Sequence, residues 1–100
     1  MSLIINIIYR GKGDAAQKFA QEMLESGTVA EIRAKSGNLR YDYFQPLDDP
    51  EALLLIDAWE NQAALDAHHK SHRMNTIAKL RDKYNLRLSV TRLTEYTEDK

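Results

Sequence analysis

Residues 39–72 read LRYDYFQPLDDPEALLLIDAWENQAALDAHHKSH, and the fold is decided in this stretch. Leu39 to Gln45 and Ala52 to Trp59 are β-rich runs. Between them Pro46-Leu47-Asp48-Asp49-Pro50 supplies two prolines and two aspartates, the chemistry of a turn, so the pair reads as an antiparallel hairpin. Asn61 then offers a helix N-cap, and the helix it opens runs to about His69. At period 3.6, Ala64, Leu65, His68 and His72 share one side, while Glu60, Gln62, Asp66 and Lys70 share the other. The inner face thus sends imidazoles toward a core.

On the N-terminal side, Leu3 to Arg10 is a short strand, and Gly11-Lys12-Gly13-Asp14 is a turn that ends on a second N-cap candidate. One helix is expected from Asp14 to Ser36, its stripe formed by Phe19, Ala20, Met23 and Leu24, kinked at Gly27, and resumed by Val29 and Ile32. Ser36-Gly37-Asn38 stops it. On the C-terminal side, Ser71 caps a further helical segment with Met74, Ile77, Leu80 and Tyr84, Leu86 to Tyr96 alternates as a last strand, and Thr97 to Lys100 frays.

The order βαββαβ defines an α+β ferredoxin-like plait, one antiparallel sheet with helices on one face, in a single domain over residues 1–100. Leu3, Ile5, Ile7 and Tyr9 point one way and Ile4, Asn6 and Ile8 the other, and in the third strand Leu53 and Leu55 oppose Leu54, Ile56 and Ala58. Both faces are apolar. Helices cover one, so the other is expected to meet a second copy in a sheet-to-sheet homodimer.

Bulk composition narrows the function. A formal charge of -1 provides no field for nucleic acid or anionic lipid. The apolar start is broken by Asn6 and falls well short of the roughly 20 residues of a membrane span, and it lacks the basic lead of a secretory signal; a cytoplasmic protein is expected. The chain has no cysteine, so thiolate chemistry is absent and catalysis falls to His, carboxylates, Tyr, Asn or a bound molecule.

Three segments in order, Ser36-Gly37-Asn38-Leu39-Arg40-Tyr41-Asp42-Tyr43-Phe44, Leu47-Asp48-Asp49-Pro50, and Trp59-Glu60 with Ala63-Ala64-Leu65, His68 and His72, resemble the antibiotic biosynthesis monooxygenase domain family. The resemblance spans nearly the whole chain. It implies a dimeric α+β barrel, two plaits joined through their sheets, and a small-molecule substrate. Such proteins include cofactor-independent quinol and anthrone oxygenases, haem-degrading oxygenases and an isomerase that degrades a phosphorylated signalling compound. Matched without gaps from Trp59, the iron-binding histidine of the haem-degrading branch falls on Ala78 and its helical tryptophan on His68, so haem loses its ligand. Asn6 matches the first-strand asparagine of those relatives and is retained as a site residue on that resemblance.

A cofactor-free monooxygenase of quinol- or anthrone-like aromatics is the leading expectation. Such an enzyme removes a proton from an electron-rich phenol, because the anion passes an electron to dioxygen far more readily than the neutral compound. His68 is the expected base, since imidazole titrates near neutrality and burial keeps it unprotonated. Asn6 is the expected oxyanion donor. Trp59, Tyr41 and Tyr43 are expected to wall an aromatic substrate, with His72 at the same face. The alternatives are a non-oxidative isomerase and a ligand-binding module without turnover. No metal is expected: His68 and His72 have i, i+4 spacing, but the glutamate of an HExxH motif and a third ligand are both missing, and Ser71 breaks the helix between them.

Overall fold

The computed structural model describes residues 2–94. Its elements are β1 (Leu3–Arg10), α1 (Ala15–Glu25), α2 (Thr28–Arg33), β2 (Asn38–Phe44), β3 (Ala52–Trp59), α3 (Gln62–His69), α4 (Arg73–Lys83) and β4 (Arg87–Thr94). The four strands form one antiparallel sheet in the order β2-β3-β1-β4. That is the ferredoxin-like plait, with β3 and β1 as the central pair and β2 and β4 at the edges.

Period 2 places Ile5, Tyr9, Tyr41, Leu53, Leu55, Asp57 and Trp59 on the helix-bearing face, all of them buried. Against them α1 lays Phe19, Ala20 and Met23, α2 adds Val29 and Ile32, and α4 adds Ile77 and Leu80. The opposite face carries Ile4, Asn6, Ile8, Leu54, Ile56 and Leu93, and Ile8 is 44% exposed there. No helix of the described chain is long and apolar enough to cross a membrane.

Three local expectations are corrected, and a fourth falls partly outside the described residues. The first helix is not one kinked rod but two helices, because Gly27 takes a left-handed φ of +84° and its carbonyl opens α2 by accepting the Glu31 N–H. Leu24 leaves the stripe and stands 50% exposed. Ser71 does not cap α4; its hydroxyl donates to the His68 carbonyl at 2.7 Å and closes α3 instead, while His72 occupies the N-cap position of α4. The last strand is described as Arg87–Thr94, so Tyr96 and the tail over residues 97–100 lie outside the described residues.

Two features aim α3. Asn61 caps it as expected, its side-chain oxygen accepting the Ala64 N–H at 2.9 Å. Gly37, with φ +87°, lets the chain before β2 press on the first turn of α3: a Cβ there would stand 2.5 Å from the Ala64 Cβ. The Gly37 carbonyl also accepts the Glu60 N–H at 2.8 Å. The helix carrying His68 is therefore fixed at its start by a cap and by a backbone contact.

Candidate active site

The helices do not tile the inner sheet face evenly. Over β1 and β4 a cavity of about 570 Å³ remains, floored by Ile5, Ile7, Tyr9, Asp57, Val90 and Arg92, and roofed by Leu65, His68, Met74, Ile77 and Arg81. Most of this lining is apolar, with few polar groups converging on it, the general form of a small-molecule site.

His68 comes from the inner face of α3 and is 3% exposed. Its ring stacks on Trp59 at 4.8 Å and 26°, and meets Tyr41 edge-on at 6.4 Å. Burial, helped by the nearby His69 ring and the charges of Lys35 and Arg73, pulls its pKa down to about 4, so the imidazole is neutral at pH 7. Nδ1 is buried with no hydrogen-bond partner.

Asp57 is the residue that sequence reasoning missed. It sits on β3 between Leu55 and Trp59, 4% exposed, with Oδ1 lacking a hydrogen-bond partner. Burial raises its pKa to about 7; the Trp59 indole N–H pulls the other way without completing a hydrogen bond of normal geometry. Tyr41 stands beside it across the β2–β3 ladder, and burial raises that phenol too, reinforced by Tyr43, Tyr9 and the carboxyl of Asp57. Tyr9 is pushed up to about 12, mainly by burial. Asp57 and His68 line the same cavity, and neither satisfies the other.

Of the six residues expected at the site, the structure brings two, His68 and Tyr41, to the cavity wall. Asn6 is on the other side of the sheet: it pairs with Ile56 and Thr91, one position off the row of Ile5, Asp57 and Arg92. A one-residue step in a strand reverses the face, so Asn6 cannot serve as a donor in the cavity of His68. Trp59 is 0% exposed and lies behind His68 as its packing partner rather than as cavity wall. Tyr43 shares the face of Tyr41 but opens on a separate groove with Gln17, Leu24 and Phe44. His72 stands at the N-terminus of α4 and outside the cavity, because α3 ends before it and the helical phase of His68 is lost.

Gln62, Arg81 and Arg92 also line the cavity and were not anticipated. Parity was the available signal for Asp57, since it occupies an inner position of an otherwise apolar strand face. The arginines carried no comparable signal, because their placement depends on how α4 and β4 meet.

A ferredoxin-like plait with a mainly apolar cavity and a few ionisable groups under its helices has the form of a small-molecule protein. The antibiotic biosynthesis monooxygenase family model matches residues 2–80, and the chain belongs to that family. It is similar to "Putative monooxygenase YcnE" of Bacillus subtilis (strain 168), 25% identical over 96% of this chain and 99% of that protein. Among solved structures it is similar to a Deinococcus radiodurans protein described as a "putative antibiotic biosynthesis monooxygenase", with a TM-score of 0.82 and 17% identity over 98% of this chain and 96% of that one. It also resembles SnoaB, a cofactor-independent oxygenase from Streptomyces nogalater, with a TM-score of 0.79 and 13% identity over 97% and 95% of the two chains. At such identities the structural matches speak for the fold.

Proposed function

We propose that this protein is a cofactor-independent monooxygenase of a phenolic, anthrone-like or quinol-like aromatic compound. The observation that carries the proposal is the cavity itself, which has apolar walls of a size for an aromatic ring system and two ionisable groups without partners, Asp57 and His68. The name of SnoaB supports the same kind of chemistry.

In the anthrone-like case the substrate supplies all the electrons. A base takes the phenolic proton of the tautomer, and the anion gives one electron to dioxygen. The resulting radical pair collapses to a peroxide on the ring carbon. Protonation of that peroxide and loss of water leave a carbonyl, so one oxygen atom enters the product and the other leaves with the carbon's two hydrogens.

Asp57 is the better proton acceptor of the pair. A base of pKa about 7 matches a phenol more closely than one of about 4, and proton-transfer efficiency follows that match. This moves the base from His68, where the sequence reading put it, to the neighbouring strand. His68, neutral in working conditions, is then suited to hydrogen-bond the substrate oxygen. A homodimer through the face of Ile4, Ile8, Leu54, Ile56 and Leu93 completes the proposal, with Asn6 inside that contact rather than at the chemistry. Sedimentation equilibrium at micromolar protein is expected to return twice the chain mass, and a stable monomer removes the dimer.

The test of function is oxygen uptake across hydroquinones and anthrones, with product oxygen traced from ¹⁸O₂. Uptake no faster than autoxidation ends the oxygenase reading. Where turnover is found, the rising limb of kcat/KM against pH names the base: a midpoint near 7 identifies Asp57, and one near 4 identifies His68.

A further inference from the structure

The chain has seven arginines. Arg10 pairs with Asp49, Arg33 and Arg40 with Asp42, and Arg73 with Glu31. Among the described residues Arg81, Arg87 and Arg92 have no carboxylate partner, and two of these three line the cavity. On a chain of net charge -1, leaving these cations unmatched at one apolar site is a local choice rather than a consequence of composition.

The two serve opposite ends. Arg92 lies on the register row of Ile5 and Asp57, and its guanidinium donates to the side-chain oxygen of Gln62, spanning from β4 to the start of α3. Arg81 faces Tyr9, whose pKa its charge draws down against the effect of burial. Tyr9 pairs with Leu88, four residues before Arg92, which at 3.3–3.4 Å per residue sets the two ends about 13 Å apart. Ile7, Val90 and Met74 fill the interval. A helix C-terminus favours a cation by itself, but Lys83 on the same turn reaches out to Glu22, whereas Arg81 lines the cavity. A half-buried guanidinium without an anion has given up water with nothing in return.

We propose that the substrate carries a carboxylate bound by Arg81, with its oxidisable ring directed to the end held by Asp57 and His68. No lysine lines the cavity, so the charge at the Arg81 end is that of one guanidinium, which matches a carboxylate rather than a doubly charged phosphate. This assignment rests on the cavity being the substrate site, and it names the substrate class.

Calorimetry with two probes tests it without turnover. 6-Hydroxy-2-naphthoate has its hydroxyl and carboxylate at opposite ends of one flat ring system, and 2-naphthol lacks only the carboxylate. The naphthoate is expected to bind about tenfold or more tighter, with a preference that weakens in high salt. Arg81→Gln should erase the preference, bringing the naphthoate down to the affinity of 2-naphthol in the same variant, and Arg81→Lys should restore part of it. Equal affinities in the native protein, no binding of either probe, or a preference that survives Arg81→Gln overturns the proposal. If Arg81→Gln does not fold, loss of the native preference in salt and its partial retention in Arg81→Lys decide the matter; a salt-insensitive preference overturns it. A carboxylate preference without oxygen uptake would remove the monooxygenase reading alone, and uptake without the preference would remove this one alone.

Discussion

The helix-bearing face of the sheet has two unlike halves. Over β2 and β3, the helices α1 and α2 deliver Phe19, Met23 and Ile32, each fully buried. Over β4 every described residue of the strand is exposed, Leu88 and Val90 included, although they belong to the same face of the same sheet. The difference lies in the covering helices. α1 offers a continuous stripe of large apolar residues, whereas α3 is short and spends one of its two buried positions on an imidazole. One half holds the molecule together and the other keeps space for chemistry.

The largest contrast is expected from truncation. Phe19→Ala, in the packed half, should cost about 3–5 kcal/mol in urea denaturation, the usual range for deleting a buried aromatic ring. Val90→Ala, at a position 54% exposed in the hollow half, should stay within about 0.5 kcal/mol. Comparable losses at both sites would mean that the cavity half is as tightly packed as the other.

The next effect is a gain. Asp57 has its folded pKa raised from 3.8 to about 7, so the folded state holds the proton that the unfolded chain releases between those values. Its penalty is absent below pH 3.8, grows as pH rises, and is complete above 7. Asp57→Asn should therefore stabilise the protein by about 2–3 kcal/mol at pH 8 and by little at pH 4. That gain lies below the ceiling of roughly 1.4 kcal/mol for each tenfold change in proton affinity, because the cavity is open to water. The same variant should lower turnover by about 10²–10⁴-fold if Asp57 is the base. A variant less stable at pH 8 than the native protein would show that the carboxylate is paired there.

His68 has the opposite sign. Its pKa falls from 6.5 to about 4, so the unfolded chain takes up a proton first, and the stability that the neutral imidazole contributes is lost as pH drops from 6.5 toward 4. Over that interval the two groups nearly cancel. His68→Gln should unmask the slope of Asp57, giving a protein that loses stability as pH rises from 4 to 7, by no more than about 1.4 kcal/mol per pH unit. Denaturation midpoints that remain flat with pH in both single variants would refute the opposition.

Smallest is Gly27→Ala. Nothing stands within 4 Å of the added Cβ, so only the left-handed φ is penalised, at about 1 kcal/mol. A larger loss would show that the break between α1 and α2 has a packing role as well.

The plait was legible because its signals are local. Two prolines and two aspartates mark the hairpin turn, and an asparagine followed by an amphipathic run marks α3. The break at Gly27 was not legible, since Val29 and Ile32 continue the apolar pattern and glycine alone does not state its φ. Strand parity, applied strictly, separates Asn6 from Ile5 and puts Asp57 with Leu55; the resemblance that recommended Asn6 did not carry the register, and a pattern that counts apolar residues passes over a lone inner carboxyl. His72 was misread because a helical wheel assumes that the helix continues.

The strand that floors the cavity also has a bearing on solubility. In the described sheet β4 pairs on one side only, with β1, and its run Leu88-Ser89-Val90-Thr91 is short, β-prone and uncharged. Such an edge is a template for strand addition from another chain, and the charges flanking it are the ordinary defence against runaway stacking. Arg87 and Arg92 stand at the two ends of that run. Replacing both with uncharged residues would expose the edge to fibre-forming growth even in molecules that remain folded.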